Sequence, residues 1–181
     1  MKIAIGNDHT AFLLKELIVG YLTDKNLSYS NLSDKNLSDS NLPDNNLSTR
    51  NLPSSNIDVM DMGSYDNQRV DYSDYAQKVC EKVVSGECDF GILICGSGGG
   101  MSMAANKIRG VRAILCSEPY TAKMARSHNN ANVLCIGTRV VGEDLAKMIV
   151  DAFLTEPFEG GRHSARVAKV MDLENLPNSR G

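Results

Sequence analysis

Short apolar runs alternate along the chain with stretches in which apolar residues return at helical spacing. Lys2 to Gly6 (KIAIG) reads as a strand, and Ala11 to Asp24 as a helix with Phe12, Leu13, Leu17, Ile18 and Tyr21 on its apolar side. After an interruption the pattern resumes with a strand from Asp58 to Met62 and a loop from Gly63 to Arg69. A helix follows from Ser73 to Gly86, capped by Asp71 or Ser73, with Tyr75, Val79 and Val83 on one face. Asp89 to Cys95 is an apolar strand, Gly99 to Arg109 a helix, and Val111 to Cys116 the next strand. A helix opening at Ser117-Glu118-Pro119, with proline in its first turn, ends near Ser127-His128-Asn129-Asn130. Asn132 to Ile136 is a strand closed by Gly137-Thr138-Arg139, Gly142 to Thr155 a helix, and Arg162 to Met171 or beyond the last helix. This alternation predicts an α/β fold: a three-layer α/β/α sandwich, Rossmann-like, around a parallel sheet of about five strands, with an added C-terminal helix.

Residues 26–57 break the rhythm. Asn-Leu recurs from Asn26-Leu27 through Asn51-Leu52 at a five-residue period, and Asn56-Ile57 closes the series. A pentapeptide β-helix wants a small residue before each Asn, whereas this chain has Lys25, Ser30, Lys35, Ser40, Asn45, Arg50 and Ser55. The segment 26–56 therefore reads as a polar, mostly flexible tandem-repeat insertion within one domain spanning 1–181. Because it joins a helix to the next strand, it should emerge at the amino ends of the strands and be dispensable for chemistry.

The chemistry concentrates in Asp89 to Ala105, DFGILICGSGGGMSMAA. A buried strand of a parallel sheet would place Cys95 at its carboxyl end, where open α/β sheets hold their ligands. Gly96, Ser97, Gly98, Gly99 and Gly100 can turn successive N–H groups toward one point, and such a nest beside a helix start binds anions and favours a thiolate. Three familiar motifs fail on spacing. Met101 stands where GxGxxG needs glycine, Met101-Ser102 where a P-loop needs Lys-Ser/Thr, and Cys95 where GxSxG needs glycine. A tight strand-to-helix turn holding a buried cysteine fits the same residues.

Charge and composition narrow the classes. The 181 residues are 42% hydrophobic and 23% charged, enough for a substantial core. A net charge of −3 without a basic block leaves nucleic acid an unexpected partner. Five cysteines without a CxxC pair suit a reduced, cytoplasmic protein, and no stretch approaches membrane-spanning length. Of the three histidines, His9 and Asp8 follow the first strand, although Asp8 equally suits a helix N-cap. His128 and His163 lie off any apolar stripe, so a core role is not expected for any of the three. No two are spaced as ligands on a helix, so no metal and no cofactor is expected. Arg139 follows a strand end. Arg162 and Arg166 share a helical face beside His163, an arrangement that suits a phosphate group or simply a solvated surface.

The stretches KIAIGNDH, VDYSDYA, GILICGSGGGMSMAANKIRGVRA, SHNNANVLCIGTRVVG and GGRHSARV resemble, in order and spacing, the type B ribose-5-phosphate isomerases. That sugar-phosphate isomerase family includes allose-6-phosphate and galactose-6-phosphate isomerases. The chain departs from the family at Ser97, where threonine is usual, at Ser73, where proline is common, and in the repeat. The resemblance implies interconversion of ribose 5-phosphate and ribulose 5-phosphate in the non-oxidative pentose phosphate pathway, without a cofactor. It implies that Cys95 is the base moving a proton between C1 and C2. Ser97 would assist transfer at oxygen, Asp8 and His128 would open the ring, and Asn129 would bind hydroxyls. The Gly96–Gly100 backbone would hold the enediolate, Tyr72 would line the pocket, and His9, Arg139, Arg162 and Arg166 would hold the phosphate. It further implies a homodimer, or a tetramer built from dimers, in which His128 and Asn129 serve the partner's Cys95. A six-carbon sugar phosphate such as allose 6-phosphate, a non-catalytic sugar-phosphate-binding paralogue and a cysteine-dependent transferase are the competing readings.

Overall fold

In a computed structural model, residues 1–33 and 56–176 are described, with the backbone alone for 26–33. Five parallel strands run β1 (Lys2–Asn7), β2 (Asp58–Asp61), β3 (Phe90–Cys95), β4 (Ala113–Leu115) and β5 (Val133–Gly137). They lie in the order β2-β1-β3-β5-β4. The helices are α1 (Phe12–Ser33), α2 (Tyr72–Val84), α3 (Gly99–Ala105), α4 (Pro119–Asn129), α5 (Glu143–Thr155) and α6 (Arg162–Asp172), and a 3₁₀ turn follows at Leu173–Asn175.

Strand side chains alternate between two cores, as the pleat requires. Ile3, Ile5, Ile92, Ile94, Leu134 and Ile136 face α1, α4 and α5, while Ala4, Leu93, Cys95, Val133 and Cys135 face α2 and α3. These are the three layers expected from the alternation of elements. β1 leads outward to β2 on one side and pairs with β3 on the other, so the order reverses between β1 and β3. Open α/β sheets bind ligands above such a reversal, at the carboxyl ends. Asp8 follows β1 there and Cys95 ends β3 there.

Several boundaries differ from the sequence reading. α1 runs on to Ser33, because no glycine or proline lies between Tyr21 and Ser33 to stop it. The start of the repeat is thus helical, and its residues 34–55 lie outside the described residues. The inward side chains of α1 are Leu14, Lys15, Ile18 and Leu22, while Leu13 is 81% exposed. Consecutive apolar residues at 12–14 leave the phase of the helix open, and the sheet settles it. α2 buries Ala76, Val79, Cys80 and Val83, with Tyr75 partly covered. α3 stops at Ala105 because the Asn106 side chain turns to the edge strand. Its Nδ2 donates to the Ala113 carbonyl and its Oδ1 accepts from the Ala113 N–H, each at 2.9 Å.

Candidate active site

At the carboxyl end, Asp8 N–H still donates to the Ile94 carbonyl at 3.0 Å, which ties the residue after β1 to β3. Its Oδ1 accepts from the Thr10 N–H at 2.9 Å and the Thr10 hydroxyl at 2.6 Å, a local turn two residues before α1 begins rather than the helix N-cap the sequence allowed. Asp8 is buried, and among the described residues its Oδ2 carries no hydrogen bond. The Val70 N–H points at His9 Nδ1 from 3.5 Å, so Nε2 is the nitrogen turned away from that loop.

Cys95 lies at the floor of the glycine loop, 4% exposed, and the Gly98 N–H donates to its Sγ at 3.2 Å. A cysteine sulfur accepts such a contact. Gly98 holds φ 77°, and a Cβ there would meet Leu115 Cδ1 at 2.4 Å and the Ile136 carbonyl carbon at 2.9 Å. Only glycine therefore lets this amide turn inward. The loop rests on the end of β5: Thr138 N–H donates to Cys95 O at 2.9 Å and Arg139 N–H to Gly96 O at 3.0 Å. Ser97 is exposed and its Oγ accepts from the Gly99 N–H at 3.3 Å. α3 is only seven residues long, so any positive field here comes from its first-turn amides.

Around the loop, the Tyr72 ring covers Gly100, 3.0 Å from where a Cβ would sit. Gly96 lies between Thr10 and Arg139, with the Arg139 Nε 3.8 Å from its would-be Cβ. The carboxyl end thus gathers Asp8, His9, Tyr72, Cys95, Gly96, Ser97, Gly98, Gly99, Gly100 and Arg139. Burial pushes the Cys80 and Cys116 thiols up to about 12, and Cys135, deeper still, also rises. Burial therefore favours the neutral thiol at these three positions.

The other candidates lie elsewhere. α4 returns antiparallel to the strands and delivers His128 and Asn129 to the start of β5, where Asn130 caps it at φ 47°. The five residues of β5, at ~3.3 Å each, put roughly 13 Å between that end and the Cys95 end. Two arginines, Arg126 buried and Arg112 half-buried, hold the cap. Arg112 Nε donates to Asn130 O at 2.7 Å, and Arg126 Nη1 to Asn130 Oδ1 at 3.0 Å. Burial lowers the pKa of both guanidinium groups, and Arg112 lowers that of Arg126 further.

α6 brings Arg162 and Arg166 to this second cluster, through a turn at Gly160 and Gly161 with φ 65° and 54°. Glu159 N–H donates to Ser127 O at 3.0 Å and pins the turn to α4. His163 is 5% exposed, against expectation. No apolar period announced this, because it is buried by an end-on meeting of helices: its ring stacks on His128 at 4.3 Å and 4°. Burial first, then His128 and Arg162, lower its pKa. Asn129 and Arg166 also line a cavity of about 210 Å³ with Ile114, Ala125 and Val170. Sequence reasoning missed Glu159, Arg112 and Arg126, for which spacing gave no signal. In a single chain the candidate residues therefore form two half-sites at opposite ends of the sheet.

A model of the Ribose/Galactose Isomerase family matches residues 44–170. The chain is 43% identical over 177 residues to ribose-5-phosphate isomerase B of Escherichia coli (strain K12), covering 98% of this chain and 99% of that one. Among solved structures it is similar to Clostridium thermocellum ribose-5-phosphate isomerase B, with TM-score 0.79, 42% identity and coverage of 97% and 98%. It is also similar to Mycoplasma genitalium ribose-5-phosphate isomerase B with bound ribulose-5-phosphate, with TM-score 0.76, 37% identity and 97% of each chain covered.

Proposed function

The chain belongs to the Ribose/Galactose Isomerase family, and from that premise we propose that it interconverts ribose 5-phosphate and ribulose 5-phosphate. The reading is carried by one observation: the Gly98 amide is aimed at Cys95 Sγ inside a glycine loop at the sheet's reversal point.

An aldose becomes a ketose when a proton leaves C2 and returns to C1 through an enediolate. Cys95 as thiolate takes the C2 proton and gives it back to C1, with the loop amides facing the enediolate oxygens. Ser97, exposed on the same loop, moves the hydroxyl proton between O1 and O2. Fixed donors at such an oxyanion are worth ~10²–10³ in rate each. Asp8 Oδ2, outside the turn with Thr10, receives a sugar hydroxyl as the ring opens.

The second half-site completes the chemistry from another copy of the chain. His128 opens the ring and Asn129 binds hydroxyls. Arg162 and Arg166 meet His9 and Arg139 across the phosphate, so the dianion is gripped from both chains. What supports this sharing is the separation of the half-sites, each lacking what the other holds. The phosphate is remote from the reacting carbons, so its binding energy positions them.

Mixing the purified protein with ribose 5-phosphate and a chelator tests the reading. Ketose formation is expected, and Cys95→Ala should lower it by ~10²–10⁴. Near-normal turnover by that variant would remove Cys95 from the mechanism. A covalent sugar adduct on Cys95 would point to group transfer instead.

A further inference from the structure

Two imidazoles and a carboxylate converge where α4 meets α6. Glu159 Oε1 lies 3.7 Å from His128 Nε2, and its Oε2 lies 3.4 Å from His163 Nε2. The ligand-capable atoms of the three residues all lie within 4.8 Å of one another. Arg162 Nε donates to His163 Nε2 at 3.3 Å, so that nitrogen presents a lone pair. That lone pair and the Glu159 carboxylate form a donor pair which a metal ion can take over from the guanidinium. Tetrahedral sites with ligands at ~2.0–2.1 Å hold neighbouring donors about 3.3 Å apart. Two contacts are near that spacing already, and the two stacked rings must tilt out of parallel for their Nε2 lone pairs to converge on one ion. Arg162 would have to swing aside, which its position at the first turn of α6 permits.

We propose that His128, Glu159 and His163 form an inhibitory site for a borderline divalent transition metal, zinc above others. Two nitrogens and one carboxylate oxygen, with a fourth position left to water, form a donor set suited to zinc, cobalt or nickel rather than magnesium or calcium. The ion occupies Nε2 of His128 and adds no chemistry to isomerisation. It competes with the sugar phosphate for the half-site. This inhibitory consequence rests on the isomerase reading, whereas ion binding does not.

Cobalt(II) titration of the reduced full-length protein tests the site with a spectroscopic readout. One ion per chain is expected, giving visible d–d absorption without a thiolate-to-cobalt charge-transfer band in the near ultraviolet. Outer-shell changes alone typically cost ~10–100-fold in metal affinity, so Glu159→Gln should weaken binding by at least about tenfold. Glu159 is exposed, and His163→Gln gives a second variant expected to do the same. Zinc should then inhibit competitively with ribose 5-phosphate, less so in Glu159→Gln. A charge-transfer band lost in Cys95→Ala, binding indifferent to both variants, or no binding at millimolar cobalt would each overturn the site. Cobalt binding as described in a protein without isomerase activity would keep the site and refute the isomerase reading.

Discussion

At the residue scale, Cys95 stands out as a candidate because a strand, a cysteine and a glycine loop are contiguous. The reach of its sulfur depends on Gly98, whose Cβ has no room against Leu115 and Ile136. Gly98→Ala should therefore cost ~1–2 kcal/mol from the left-handed backbone alone, measurable by urea unfolding, and lower turnover by turning the amide away. Equal turnover with unchanged stability would mean that this amide does not matter. Reactivity separates the thiols as well. Iodoacetate near neutral pH should label Cys95 and leave Cys80, Cys116 and Cys135 intact, because burial keeps those three protonated. Substrate should slow the labelling, and mass mapping reads both outcomes. His163 and Glu159 were not legible as partners, since helix ends that meet head to side leave no period in the sequence.

At the scale of elements, the order of strands and helices was readable throughout, and the errors were of phase and length. Lys15 illustrates what pattern cannot give. It lies within an apolar stripe, fully buried, with Nζ 2.6 Å from Asp61 Oδ2 and 2.8 Å from Glu16. It ties α1 to the end of β2, whose Asp61 Oδ1 accepts from the Gly63 N–H at 3.0 Å. Burial works to lower the pKa of Lys15, but hydrogen bonds and ion pairs with Asp61 and Glu16 outweigh it and raise it above 10.5. A cation with a raised folded pKa stabilises fully below its unfolded value and loses that contribution as pH rises through the folded one. Stability should thus hold through neutral pH and fall above about 10.5. In Lys15→Met that alkaline fall should be smaller in urea titrations, and an identical fall would place its cause elsewhere.

At the scale of the whole molecule, the topology puts loops of two kinds at opposite ends of the sheet. Asp58 pairs with Lys2, so the chain re-enters from the repeat at the amino ends, away from Cys95. From Phe12 to Lys25, α1 already rises about 20 Å, the length of a six-residue strand, so the rest of the helix overshoots the sheet. Replacing residues 26–56 by a short polar linker should leave turnover within about twofold; a folded but inactive deletion would show that the repeat takes part. Among the described residues no helix is long and apolar enough to cross a membrane. The resemblance named the candidate residues and assigned His128 and Asn129 to the partner's Cys95, whereas the physical cause of their separation within one chain, the antiparallel return of α4, is visible only in the fold.

That separation makes the central claim directly measurable. Cys95→Ala and His128→Ala, each nearly inactive alone, are to be unfolded together, refolded as a mixture and assayed with ribose 5-phosphate. In a two-fold dimer with shared sites, half the dimers are mixed and one of their two sites is intact, so activity should return to about a quarter of wild type. If the mixture stays as inactive as its parents although mixed dimers form, Cys95 and His128 do not act across two chains.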